Sequence, residues 1–207
     1  DQFAEKLGLQ MPLQPRLWFT EEQDRAAREH MKPELGPILA VGPAANWAGK
    51  EWPMARYQAL IATLTAPDGI LPGARVAVSA APNERTQAIK AWEGVAEERR
   101  VDLMHNTDPA FAAACLRYVS LYVGNDSGLM HMAAAAGTPT LGLFGPTHER
   151  LYAPWGEKAR IVRAGDRFDE RERRALADTS RESLMGALQV DAVERAAAEL
   201  MAESAKA

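Results

Sequence analysis

The sequence predicts an α/β protein built on one Rossmann-like parallel sheet with flanking helices. Two observations carry this. From Pro37 onward, short apolar, β-prone runs alternate with helical spacings, which is the signature of βα units. Each run is also short enough and apolar enough to be a strand covered on both faces. A chain of 207 residues with 47% hydrophobic content is long enough to bury a proper core without disulfides or structural metal.

The elements follow in order. Asp1–Leu9 has helical spacing, with Phe3 and Leu7 before a break at Gly8, and Met11-Pro12-Leu13-Gln14-Pro15 reads as an extended connector. Residues 1–15 are therefore expected to be an interdomain helix and linker, and 16–207 a folded domain. The absence of an initiator methionine and of a basic start before an apolar core leads us to expect a fragment with no export signal. Glu21–Met31 is a predicted helix ahead of the first strand. Six strands are expected at Ile38–Val41, Arg75–Ser79, Val101–Met104, Leu121–Gly124, Thr140–Phe144 and Ala159–Val162. Between them helices are expected at Met54–Ala66, Glu84–Gly94, Pro109–Val119 and Gly128–Ala136, with Val190–Ala202 closing the chain. The dense mixture of Arg, Asp and Glu across Arg163–Glu182 reads as a solvated loop or surface helix.

Composition excludes several classes. No segment approaches the apolar length that crosses a bilayer, and a formal charge of -4 leaves no basic footprint for nucleic acid. The single cysteine, Cys115, lies in the alanine-rich stretch Ala112–Leu116, which looks like the buried face of a helix. No disulfide framework is available, and a reducing cytoplasm fits best. Neither paired carboxylates in a ligand context nor a histidine pair at ligand spacing suggests a divalent metal, and no cofactor is expected.

The most informative segment is Tyr122-Val123-Gly124-Asn125-Asp126-Ser127-Gly128-Leu129-Met130-His131, where an apolar strand runs into small polar residues and a helix begins at once. The first N–H groups of a helix lack intrahelical partners and carry partial positive charge, so such a junction suits an anion. Gly128 lets a phosphate approach the backbone, Ser127 adds a hydroxyl donor, and His131 follows one helical turn later on the same rim. Asp126 is placed to accept a ligand hydroxyl. The same residues also read as an ordinary helix cap and a core histidine. The continuation through Gly137-Thr138-Pro139 to a second strand end, Phe144-Gly145-Pro146-Thr147, favours the functional reading. Two adjacent strand ends make a crevice, and open parallel sheets bind ligands outside the carboxyl ends of their strands.

Asp126-Ser127-Gly128, His131, Ala133–Ala135, Gly137, Pro139 and Phe144-Gly145-Pro146-Thr147 closely resemble the signature of the heptosyltransferase family (glycosyltransferase family 9), whose members act in lipopolysaccharide core synthesis. Lys50-Glu51-Trp52-Pro53, with Tyr57 and Leu60 on the next helix, is a second match, and Ala81-Pro82-Asn83-Glu84 a third. The resemblance spans the whole chain but corresponds to that family's C-terminal domain. It implies a two-domain GT-B architecture, inversion at the anomeric carbon, an ADP-heptose donor, and a lipopolysaccharide or related glycan acceptor held by an N-terminal domain that this chain lacks. It also implies that Lys50 contacts the diphosphate, that Glu84 contacts the ribose hydroxyls, and that Asp126, Ser127, Gly128 and His131 line the phosphate and sugar region. The general base is expected in the N-terminal domain, and any peripheral contact with the inner face of a membrane is expected there too.

Elementary chemistry agrees for Lys50, because an ammonium placed where a departing diphosphate gathers charge lowers the barrier. Glu84 reads equally as a residue favoured in a first helical turn by the dipole. Where many relatives carry hydroxyl residues before the lysine, this chain has Ala44-Ala45-Asn46-Trp47, leaving Asn46 as the polar candidate. Trp47 is expected to pack its own loop; His105 and His148 follow strand ends, and His30 has no functional case. Two other readings compete: a nucleotide-sugar 2-epimerase of the same fold, and a non-catalytic nucleotide-sugar-binding module.

Overall fold

The computed structural model describes Lys6, Gly8 and residues 15–106, 108–165 and 182–206. The expected linker at 1–15 and the charged stretch at 163–182 fall almost wholly outside these residues. Thr20 opens helix α1 (Glu21–Met31) with a capping box: its hydroxyl accepts from Gln23 N at 3.2 Å while its own N–H donates to the Gln23 side chain at 3.0 Å. The helix stops where Lys32 turns left-handed ahead of Pro33.

Strands β1 (Ile38–Gly42), β2 (Arg75–Val78), β3 (Arg100–Asp102), β4 (Leu121–Asn125), β5 (Thr140–Phe144) and β6 (Ala159–Arg163) form one sheet in the order β3-β2-β1-β4-β5-β6. Every neighbouring pair is parallel. The chain first winds outward from β1 through α2 (Met54–Leu64) to β2. It continues past the short α3 (Arg85–Ala88) to β3, then returns through α4 (Pro109–Leu116) to place β4 on the other side of β1. From there α5 (Gly128–Ala135) leads to β5, the single-turn α6 (Glu149–Tyr152) to β6, and α7 (Val190–Ser204) ends the fold. This is the doubly wound order, and its direction reverses between β1 and β4.

Alternate strand residues feed two cores. Leu39, Val41, Val76, Val78, Leu121, Val123, Leu141 and Leu143 face a layer holding Leu60, Ile61, Val193 and Leu200. Ile38, Ala40, Ala77, Val101, Tyr122 and Phe144 face a layer holding Ala27, Met31, Phe111, Cys115 and Met130. Cys115 is thus buried, as its alanine-rich setting predicted, and burial pushes its thiol up to about 12. Among the described residues no helix is long and apolar enough to cross a membrane.

The expected elements appear with shifted ends, and one changes character. The helix predicted over Glu84–Gly94 is a chain of short turns: a 3₁₀ turn at Pro82–Glu84, then α3, then a 3₁₀ turn at Ile89–Trp92. The tighter winding accompanies Trp92 turning inward to donate from Nε1 to the Val76 carbonyl at 2.9 Å. Strand β3 ends earlier than expected because the Asp102 carboxylate accepts from Met104 N at 2.8 Å and turns the chain.

At the reversal point Gly42 and Gly124 face each other in register, and the Tyr122 ring lies over both. A Cβ at Gly42 would fall 2.1 Å from the Tyr122 hydroxyl oxygen, and one at Gly124 would fall 2.5 Å from it. Gly42→Ala is expected to cost roughly 1–3 kcal/mol, the range for overpacking a core. Adding Tyr122→Phe removes the nearest atom and leaves a ring carbon at 3.0 Å, so part of the loss should return. Urea melts of the single and double variants measure this, and a Gly42→Ala melt identical to the parent would show that the ring is not held there.

Candidate functional site

Asn125, the last residue of β4, is fully buried and uses its whole side chain. Its Oδ1 accepts from Trp52 N at 3.0 Å, and its Nδ2 donates to the Pro43 carbonyl at 2.9 Å. The Tyr57 hydroxyl lies 3.0 Å from the same Oδ1 and 3.2 Å from the Gly42 carbonyl. One amide therefore fixes both ends of the loop between β1 and α2. That loop is tied from its other side as well, where Leu184 N donates to the Gly49 carbonyl at 3.0 Å and Trp52 Nε1 donates to the Leu188 carbonyl at 2.9 Å. Within it Trp47 packs over Gly49, where a Cβ would lie 2.6 Å from the ring.

This framework sets Lys50 at the end of a 3₁₀ turn, with Nζ 3.1 Å from Asp126 Oδ2 and a longer contact of 3.4 Å to the Asp126 carbonyl. Asp126 is buried. Beside it Ser127 is the N-cap of α5 in extended conformation, yet its side chain caps nothing, so the first N–H groups of α5 have no capping oxygen from it. Gly128 begins the helix, and a Cβ there would meet no protein atom within 4 Å. Lys50 thus sits beside the helix terminus, sharing its charge with Asp126.

These groups line a cleft of about 520 Å³. Asn46, Lys50, Glu84, Asp126, Ser127, Gly128 and His131 all border it, so these seven candidates are brought to one cavity. Glu84 is partly occupied, since Oε2 accepts from Ala81 N at 3.0 Å and closes its own turn. Asn46 is exposed at the rim, and His131 is exposed on α5.

The walls differ from expectation in one respect. The cleft is bordered by the loops after β1, β2, β3 and β4, and the segment Phe144–Thr147 after β5 is not among its lining residues. That segment is instead held by Arg163, which donates to the Gly145 carbonyl at 2.7 Å and the Thr147 carbonyl at 3.0 Å and pairs with Glu149 at 3.0 Å. Sequence reasoning missed the β3 loop, which contributes Leu103, Met104, Asn106, Asp108 and Pro109. Its signal was present: Asp108-Pro109 is a helix-start pair, and Asp108 Oδ1 accepts from Ala110 N at 2.9 Å.

His105 and His148 do not border the cleft. His148 caps α6. His105 stacks on His30 with ring centroids 4.3 Å apart, and His105 Nδ1 and His30 Nε2 each lie 2.8 Å from the Asp102 carbonyl. Burial, opposed by that carbonyl, lowers the pKa of His30. Among the described residues no group of three or more His, Cys, Asp or Glu side chains is placed to hold a metal ion.

A doubly wound parallel sheet with a helix terminus and a lysine at its reversal point defines a Rossmann-like domain. A family profile described as glycosyltransferase family 9 (heptosyltransferase) matches residues 1–180, and the chain belongs to that family. It is 32% identical over 131 residues to lipooligosaccharide heptosyltransferase 2 of Haemophilus influenzae, a match covering 61% of this chain and 36% of that protein. The fold is shared with the glycosyl transferase family 9 structure from Veillonella parvula, at 18% identity and a TM-score of 0.81 over 98% of this chain and 58% of that one. It is shared too with the Escherichia coli heptosyltransferase WaaC solved with ADP, at 22% identity and a TM-score of 0.67 over 96% of this chain and 54% of that one. The chain thus spans about a third to a little over half of the length of these relatives.

Two outcomes follow from the loop geometry. Asn125→Ala strands the Trp52 N–H and the Pro43 carbonyl in a buried setting and is expected to cost on the order of 3 kcal/mol in chemical denaturation. Glu51, whose Oε1 accepts from Ala45 N at 3.2 Å, has its pKa raised by burial, opposed by that bond and reinforced by the charge of Glu84. A carboxyl whose folded pKa lies above its unfolded one stabilises most at low pH and loses that contribution as pH rises through the folded pKa. Glu51→Gln keeps the acceptor and removes the charge. It should melt above the parent at pH 7, with the gap closing below the ordinary glutamate pKa of about 4.3; a gap independent of pH would contradict the assignment.

Proposed function

We propose that this chain is the donor-binding domain of an inverting glycosyltransferase that moves a sugar, heptose from ADP-heptose, onto a lipopolysaccharide or related glycan acceptor. The observation that carries the reading is the convergence of Lys50, Asp126, Ser127, Gly128, His131, Glu84 and Asn46 on one cleft at the uncapped start of α5. Membership of a heptosyltransferase family and likeness to a fold solved with ADP support the choice of ligand. In this reading residues 16–207 form the C-terminal domain of a GT-B enzyme, while the acceptor, the general base and any contact with a membrane surface belong to a second domain.

The chemistry assigned to the cleft is stabilisation of the leaving group. The acceptor oxygen bonds to the anomeric carbon as the bond from that carbon to the diphosphate breaks, and the electron pair leaves on the phosphate oxygen. The α5 N–H groups and the Lys50 ammonium meet that charge. Asp126 holds Lys50 in place and also shares its charge, so the ammonium offers its remaining N–H bonds rather than a free cation. The apolar lining from Ala80, Pro82, Leu103 and Met104 suits the flat face of a base, and Glu84 is assigned to the ribose hydroxyls. Without the second domain, the chain should bind ADP and turn nothing over.

Calorimetry tests this. Lys50→Ala is expected to weaken ADP by roughly 10–100-fold, the range for losing a charge-assisted bond, and to weaken AMP less. Gly128→Val should leave the melt nearly unchanged, because the added carbons enter open space, yet should block the approach of a phosphate to the backbone. If both variants remain folded and bind ADP as the parent does, the diphosphate site lies elsewhere.

A further inference from the structure

The register that sets Gly42 opposite Gly124 lets the Tyr122 ring lie along the sheet toward its carboxyl end. There the hydroxyl is fully buried and has no hydrogen-bond partner among the described residues. Such a group is destabilising unless something compensates it. A second hydroxyl in the same condition stands beside it: Ser127 Oγ is sealed from solvent, has no partner, and leaves the start of α5 uncapped. The two act on each other. Burial drives the pKa of the Tyr122 phenol well above the tyrosine range, and the Ser127 hydroxyl pulls it back, although the pair is not aligned as a formed hydrogen bond. Ser127 borders the cleft, whereas Tyr122 lies behind it.

We propose that Tyr122 is a positioning residue for Ser127, completing a two-hydroxyl relay when an anionic phosphoryl oxygen occupies the start of α5. A serine hydroxyl has one proton to donate and two lone pairs to accept with. When the Tyr122 O–H donates to Ser127 Oγ, the Ser127 proton is directed outward to the phosphoryl oxygen, and both buried hydroxyls are satisfied at once. No proton changes owner; the relay sets direction only. The inference rests on the donor-binding reading above and adds to it a residue behind the cleft wall.

The test is a double-mutant cycle on the purified chain with ADP as the probe. Tyr122→Phe should weaken ADP about 3–10-fold, the fold-change equivalent of one ordinary hydrogen bond, while the ligand-free melt stays level or rises because an unsatisfied hydroxyl is gone. Ser127→Ala should also weaken ADP, and adding Tyr122→Phe to it should cost nothing further. Tyrosine Raman bands supply a second readout: adding ADP to the parent should shift one phenol toward hydrogen-bond donation, and Ser127→Ala should abolish the shift even if Tyr122→Phe does not fold. Equal ADP affinity in the parent and Tyr122→Phe overturns the relay. So does a loss of the same size in both Ser127 backgrounds, which marks a packing effect. A parent chain that binds no ADP removes the donor-binding reading itself, and the relay with it.

Discussion

The structure around the cleft depends on the side chain of one buried asparagine. A parallel sheet leaves its strand ends as separate loops, and nothing in the ladder dictates how the loop after β1 meets the helix that begins after β4. Asn125 supplies that connection. Its amide satisfies Pro43 at the start of the loop and Trp52 at its end, with the Tyr57 hydroxyl in reach of the same oxygen. A carboxylate would lack the donor that Pro43 needs, and an apolar residue would leave both backbone groups orphaned. Lys50 lies inside the span so fixed, and its short contact to Asp126, the residue after Asn125, follows from that anchoring.

The same loop is held from the far side by residues well separated in sequence. Trp52 and Arg56 both reach carbonyls of the segment leading into α7, and Leu184 donates back to Gly49. Helix α7 packs on α2 and on the β5 and β6 strands, so this last helix also secures the loop that carries the cleft's lysine. A change near residues 184–188 would therefore be felt at Lys50 without touching the cleft.

Much of this was legible in the sequence because it is local. Short, largely apolar runs identified all six strands, since the inner strands are covered on both faces and have no reason to alternate. The strand, small polar residues and helix of Tyr122–His131 pointed to a helix beginning at a strand end for the same reason: the glycine and the dipole act within one turn. What failed to show was set by contacts between distant segments. Nothing local says that Trp92 will turn onto β2 and tighten its helix into 3₁₀ turns, or that Asp102 will end β3. The cleft wall was assigned to β5 on adjacency in sequence. In the structure that wall is the β3 loop, while the segment after β5 is held by Arg163 through the Gly145 and Thr147 carbonyls, a contact between strands that adjacency in sequence does not show. Asn125 was passed over for a related reason, since a polar residue at a strand end looks like turn chemistry until its partners are known.

Electrostatics bears on what such a cleft is suited to hold. Its lining carries one lysine, Lys50, against three carboxylates, Glu84, Asp108 and Asp126. Long-range attraction from these side chains is therefore not what would draw a diphosphate in. Two of those carboxylates, however, are engaged with the protein: Asp126 with Lys50, and Glu84 with the N–H of Ala81. Asp108 is committed to capping α4. What remains unspent are directional donors, namely the first N–H groups of α5, the remaining proton of Lys50 and the orphaned Ser127 hydroxyl. Donors of this kind discriminate by position and hardly at all by total charge, so they favour a phosphoryl oxygen at one point over an anion anywhere in the cavity. Such an arrangement suits a group that must gather negative charge as a bond breaks, because fixed dipoles already aimed at that point need no reorganisation when the charge appears.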